Sequence, residues 1–153
     1  VVLRYRSDDD LDTLVVPQLE LNVGANAQLK VTVVQHWGRV TRSISHARAL
    51  VGRDASLHLG EAGLGGLLSR LHLTVDLEGN GSSARVVGAY FGDENQTLDY
   101  RYTMHHQGVN TNSDMFLKGA VEDQARSVFT GMIRIEETGQ KIGNVVITVR
   151  AAD

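Results

Sequence analysis

Apolar residues recur at every second position in several separate stretches, and this period constrains the chain more than any other feature. Leu71, Leu73, Val75 and Leu77 alternate with His72, Thr74 and Asp76. Leu98, Tyr100, Tyr102, Met104 and His106 alternate with Asp99, Arg101, Thr103 and His105. Leu29, Val31 and Val33 repeat the pattern, as do Phe129, Gly131, Ile133 and Ile135. Successive side chains of an extended strand point to opposite faces, so these stretches read as strands with one dry and one wet face. Sixteen Gly, a single Pro and the scarcity of long helix-forming runs argue against a helical bundle.

A looser regularity lies above this one. Four segments begin with an apolar residue, pass through a Gly- or acid-bearing turn, reach an Ala and continue as a strand: Val23–Ala27, Val51–Ala55, Leu77–Ala84 and Val121–Ala125. A small corner residue followed by inward aliphatics suits a coiled solenoid, in which each rung buries its apolar face only against its neighbours. The repeat is degenerate, and a sandwich or jelly roll satisfies the same alternation. The Gly-dense stretch Gly60–Gly66 lacks the Lys-Ser/Thr of a phosphate-binding loop and reads as a turn between rungs. No linker or low-complexity tract divides the chain, so residues 1–153 read as one domain.

Composition narrows the function classes. The net charge of −3 gives no reason to expect nucleic acid or an anionic membrane as partner. No apolar run reaches the roughly 18 residues of a membrane span, and the N-terminus lacks the basic-then-apolar order of a signal peptide, although it also lacks an initiator Met. Cysteine is absent, which removes disulfides, thiol nucleophiles and thiolate ligation from within this chain.

Six His invite a metal reading, but His36, His46, His58 and His72 stand ten to fourteen residues apart with no close-spaced ligand motif. His105 and His106 are adjacent on a strand and face opposite ways. His106 shares the phase of Tyr100, Tyr102 and Met104, so it is expected to lie inward with a structural hydrogen-bond partner. Asp8-Asp9-Asp10 reads as a solvated loop, and the sequons at Asn80 and Asn95 as chance occurrences. No nucleophile–base–acid order or carboxylate pair can be argued from spacing. The residues alone indicate an all-β protein without catalytic or metal-ligating residues.

The run from His106 through Ser113, Lys118-Gly119 and Ala125-Arg126-Ser-Val128-Phe129-Thr-Gly131-Met-Ile-Arg-Ile135 resembles the core of the SufB/SufD family. That family shows a His, a Ser, a Lys-Gly and an Ala-Arg-x-Val-Phe-x-Gly-x-Ile-x-Val run at this spacing. Gln140-Lys141 resembles the start of its Gln-Lys-Thr segment, and Pro17, Gly24–Ala27 and Leu59-Gly60 fit more loosely. Val-Phe-x-Gly is closer to SufD than to SufB. The resemblance implies a right-handed parallel β-helix. It also implies a scaffold, not an enzyme, in a cytoplasmic complex with SufB-like and SufC-like subunits. There the SufC ATPase drives a rearrangement at the site where a nascent iron–sulfur cluster is assembled, and a reduced flavin is associated with the complex.

The chain departs from the family after Lys141, where Ile-Gly-Asn-Val-Val replaces a Thr-Asp-Gly-like segment. The family's later Cys- or His-bearing rungs and its C-terminal helical region also do not appear before Asp153. His106, Ser113, Lys118, Gly119, Arg126, Phe129 and Gly131 are therefore carried over as motif positions of structural or interface type, with no catalytic residue, metal ligand or cofactor assigned to this chain. Phase with Ile133 places Phe129 inward, Lys118-Gly119 is expected at a rung corner, and Arg126 is expected to pair with Asp123 or Glu122. A cut solenoid exposes bare rungs, so the isolated chain is expected to form a homodimer or larger oligomer. The competing class is a secreted β-helix acting as an adhesin or polysaccharide-binding protein.

Overall fold

A computed structural model describes residues 1–137 and 145–152. The alternating stretches become strands of nearly uniform length: β1 (Val2–Arg6), β2 (Leu14–Val15), β3 (Gln18–Val23), β4 (Gln28–Trp37), β5 (Arg42–Val51), β6 (Ser56–Gly65), β7 (Leu68–Leu77), β8 (Ser83–Gly92), β9 (Thr97–His106), β10 (Asn112–Val121), β11 (Arg126–Ile135) and β12 (Val145–Ala152). The chain crosses from one sheet to the other after each rung side. The first sheet runs β1-β4-β6-β8-β10-β12 and the second runs β11-β9-β7-β5-β2, with β3 also paired to β5. Every ladder is parallel and in register, as between β7 and β9, where Leu73 faces Tyr102 and Val75 faces Met104. This is the parallel β-helix expected above, and it excludes the sandwich. No helix among the described residues is long and apolar enough to cross a membrane.

The core is the space between the sheets. Leu57, Leu73, Val75, Leu77, Val86, Leu98, Tyr102, Met104, Met115 and Leu117 are all buried there. Apolar rows therefore stack from rung to rung at the strand spacing of about 4.8 Å. Pro17 separates β2 from β3; it donates no amide bond, but its carbonyl accepts from the His46 amide at 3.0 Å.

Corners come in two kinds. Where the chain leaves the second sheet, Asn26, Asp54, Gly81 and Asn110 have positive φ at the third position of the turn. Asn, Asp and Gly are the residues that tolerate this left-handed geometry best. Three of these turns close with an amide-to-carbonyl bond three residues back: Ala27 to Gly24, Ala55 to Gly52 and Ser82 to Gly79, at 3.1–3.2 Å. Neighbouring turns are laced together, the Asn26 amide to the Arg53 carbonyl and the Asp54 amide to the Asn80 carbonyl. On the opposite side Glu94 and Asp123 have positive φ one position earlier, at the second position of their turns.

Several details differ from the sequence reading. Val121–Ala125 turns the opposite corner from the other three segments. Ala84 is not a corner residue: it lies inside β8 in register with Leu57, and Ser82 occupies the place of Ala55. Gly60–Gly65 belongs to β6, and only Gly65-Gly66, with φ of 74° and 85°, makes the turn. Lys118 and Gly119 lie within β10 and mark no corner.

Candidate functional site

Inward positions of a strand inherit the dry interior, so a polar residue that keeps the alternation must find its partner inside the coil. Ser43 and Ser45 pair their hydroxyls there at 3.1 Å, and two further places hold a buried His and a buried Glu. His106 is fully buried at the end of β9, with Nδ1 2.6 Å from the Thr111 hydroxyl and Nε2 2.9 Å from the Ser113 hydroxyl. Hydroxyls both donate and accept, so a neutral imidazole is satisfied in either tautomer. Burial, and then the neighbouring His105, lower the His106 pKa from its ordinary value, which keeps the ring neutral. Ser113 is thus tied to His106 across a corner, as neighbours in the motif spacing.

The second place was missed in the sequence. Glu61 on β6 points into the coil and is 7% exposed. One carboxylate oxygen accepts from Gln35 Nε2 at 3.2 Å, and Gln35 Oε1 accepts from the Trp37 indole N–H at 2.9 Å. The other oxygen accepts from the Tyr102 hydroxyl. Burial pushes the Glu61 pKa to about 7, against the opposing pull of the Tyr102 hydrogen bond. Tyr102 and Tyr100 are raised well above the usual phenol range, first by burial and then by Glu61. A signal was present: continuing the alternation of Leu57 and Leu59 places Glu61 inward, but the surrounding glycines masked the strand.

Those glycines make room for aromatic rings. Tyr90 stacks on Tyr100 at 4.9 Å between centroids, and Tyr102 meets Phe129 edge-on at 5.7 Å. A Cβ at Gly63 would strike the Tyr100 hydroxyl, and one at Gly119 would strike the Tyr90 ring. Tyr90 also bonds the Ser127 hydroxyl at 2.5 Å. Gly119 thus faces inward and Lys118 outward. Phe129 faces inward and is half-buried against the core, as its phase with Ile133 required. Gly131 is in register with Tyr102 on the next strand. Arg126 opens β11 and makes no ion pair with Asp123 or Glu122; the Asp123 carboxylate instead accepts from the Glu94 amide at 3.3 Å. Gln140 and Lys141 lie outside the described residues.

The outward face of the second sheet carries a mesh of ion pairs. Asp99 lies 2.9 Å from Arg70 and 3.1 Å from Arg101. Burial works to raise its pKa, but Arg101 and Arg70 together outweigh this and hold it low. Asp76 lies 2.8 Å from Arg48 and 3.0 Å from His105, whose other ring nitrogen is 2.8 Å from Glu136. Among the described residues no group of three or more His, Cys, Asp or Glu is placed to hold a metal ion. A hollow beside Glu61, lined also by Gln35, Ser45 and Leu73, measures about 30 Å³. That is room for water. The interior can therefore hold a proton near neutrality and fix the stacking of rungs.

A family model described as the SUF system FeS cluster assembly SufBD core domain matches residues 1–147. The chain belongs to the SufBD core family. An iron–sulfur cluster assembly SufBD family protein of Mycobacterium leprae is 32% identical over 130 residues, covering 79% of this chain and 33% of that protein. Its counterpart in Mycobacterium tuberculosis is 30% identical over the same length. The iron–sulfur cluster assembly protein SufD of Escherichia coli is 25% identical over 158 residues, covering all of this chain and 37% of that protein. The chain thus spans about a third of the length of these SufBD relatives. No solved structure matches it.

Proposed function

We propose that this chain is the β-helical core of a SufD-like scaffold subunit, acting in the cytoplasm with SufB-like and SufC-like partners in iron–sulfur cluster assembly. The observation that carries the reading is the SufBD core match over nearly the whole chain, joined to a parallel β-helix of the kind that match implies. The likeness to SufD of Escherichia coli over the full chain supports the SufD-like assignment, as does the Val128-Phe129-x-Gly131 run in β11.

The geometry favours a scaffold over an enzyme. His106 and Glu61, the ionisable His and Glu inside the coil, are hydrogen-bonded to neighbouring side chains and packed among apolar ones. With no cysteine in the chain, thiolate ligands for a nascent cluster come from outside these residues. The cluster is the cargo of the assembly, and a reduced flavin, where it takes part, is held elsewhere in the complex.

The test uses the full-length parent protein carrying an affinity tag. Pull-down is expected to recover a SufB-like and a SufC-like subunit, and cells lacking the parent are expected to lose activity of iron–sulfur enzymes. Recovery of neither subunit, with iron–sulfur enzymes unaffected, would overturn the assignment.

A further inference from the structure

The two outward faces of the coil carry their charges in opposite ways. On the second sheet, Arg48, Arg70, Arg101 and Arg134 each lie 2.8–3.1 Å from a carboxylate of the same face, and Arg126 at the start of β11 is the exception. On the first sheet, Arg4, Lys30 and Lys118 point outward with no ion-pair partner among the described residues. Arg85 shares the sole outward carboxylate of strands β1 to β10 of that sheet, Asp114, at 3.1 Å. This basic face belongs to a chain whose net charge is −3.

Between the cations runs an apolar strip. Ala62 and Ala89 stand in register and floor a shallow trough, with Gly60 and Val87 on one side and Leu64 and Phe91 on the other. Val87, Leu64 and Phe91 are 39%, 39% and 40% exposed. Lys30, His58 and Arg85 stand in one line along the edge, bordering a hollow of about 180 Å³ beside Gly60 and Val87. A contiguous apolar patch rimmed by polar groups marks an interaction site on a soluble protein.

We propose that this face docks a partner protein through a segment apolar along its centre and acidic on its flanks, with carboxylates meeting Lys30, Arg85 and Lys118. The charge pattern selects this occupant. A second copy of the chain would bring cation against cation, and like charges across an interface disfavour it. A nucleic acid would engage the rim but leave the apolar strip unused. The inference stands apart from the SufD-like assignment, because it rests on this face alone.

The experiment places a photo-cross-linking phenylalanine analogue at Ala89 of the full-length parent in cells, and at His72 on the opposite face as control. Irradiation is expected to join Ala89, but not His72, to one partner polypeptide, at a segment that mass spectrometry maps as acidic. Combining Lys30→Glu, Arg85→Glu and Lys118→Glu is expected to lower the yield about tenfold. Changing the mapped carboxylates to Lys is expected to restore it. Should the triple variant melt early, Lys30→Glu with Lys118→Glu carries the same test, since both side chains are exposed and unpaired. Capture of lipid, of a second copy or of a flanking segment of the same polypeptide would overturn the proposal. So would a yield indifferent to charge reversal, or no capture beyond the His72 control.

Discussion

Glu61 holds its proton to higher pH in the folded protein than in the unfolded chain, because folding removes the carboxyl from water while the Tyr102 hydrogen bond compensates only in part. With the folded pKa near 7 and the reference at 4.5, the native state binds more protons across that window. Glu61 therefore favours folding fully below about pH 4.5, and this advantage is lost as pH rises toward 7 and above. The difference corresponds to about 3 kcal/mol. Glu61→Gln is expected to flatten the decline in urea stability between pH 5 and pH 8, and an unchanged decline would remove Glu61 as its source. Phe129 offers a second residue-scale test. It packs edge-on against Tyr102 but lies on the last described rung of its sheet, half-buried. Phe129→Ala is expected to cost about 2–3 kcal/mol, below the range for a fully enclosed ring, as read from the urea midpoint. The inward phase of Phe129 and His106 was legible in the sequence, because period two determines which face a side chain takes. The partners of His106 were not, since they depend on how the corner after β9 folds back, and Glu61 was missed because the glycines around it masked a strand whose alternation places it inward.

Strands were the most legible elements, and corners the least. Alternation gave the faces of β7 and β9 directly, whereas the corner repeat in Val23–Ala27 and Val51–Ala55 was extended to Ala84 and Val121–Ala125 on resemblance of residue types alone. The physical reason is that two corners of opposite turn geometry use similar residues: the left-handed residue sits third in one and second in the other. Composition cannot distinguish them, but backbone chemistry can. Asp54 has φ of 53°, and its only ion pair, with Arg53 at 3.7 Å, is exposed and contributes little. Asp54→Gly is therefore expected to leave stability unchanged or to raise it slightly, while Asp54→Ala costs about 1 kcal/mol in thermal or urea melts. Equal effects of the two would show that the side chain, and not the left-handed backbone, sets this corner.

At the scale of the whole molecule, a parallel coil satisfies its interior rungs and leaves its end strands half-paired. The two ends differ in how they are protected. At the first end, β1 has five residues and carries Arg4 and Arg6 outward, and charges on a short strand discourage pairing. At the other end, β11 runs ten residues, with Arg126 and Arg134 outward only near its two ends and Val128 52% and Met132 51% exposed between them, and Phe129 and Ile133 only partly covered on its inward side. A long edge with an apolar middle is a template for a second copy of itself. The isolated chain is thus expected to self-associate through β11 and to appear as a dimer or larger species in light scattering at micromolar concentration. Met132→Lys places a charge on that edge at an exposed outward position, so it is expected to shift the distribution toward monomer without lowering the melting temperature. Lys30→Glu, on the outward face of the first sheet and far from this edge, is expected to leave the distribution alone. A monomer at every concentration would show that the edge is protected by its own backbone geometry, and association unaffected by Met132→Lys would move the contact away from β11.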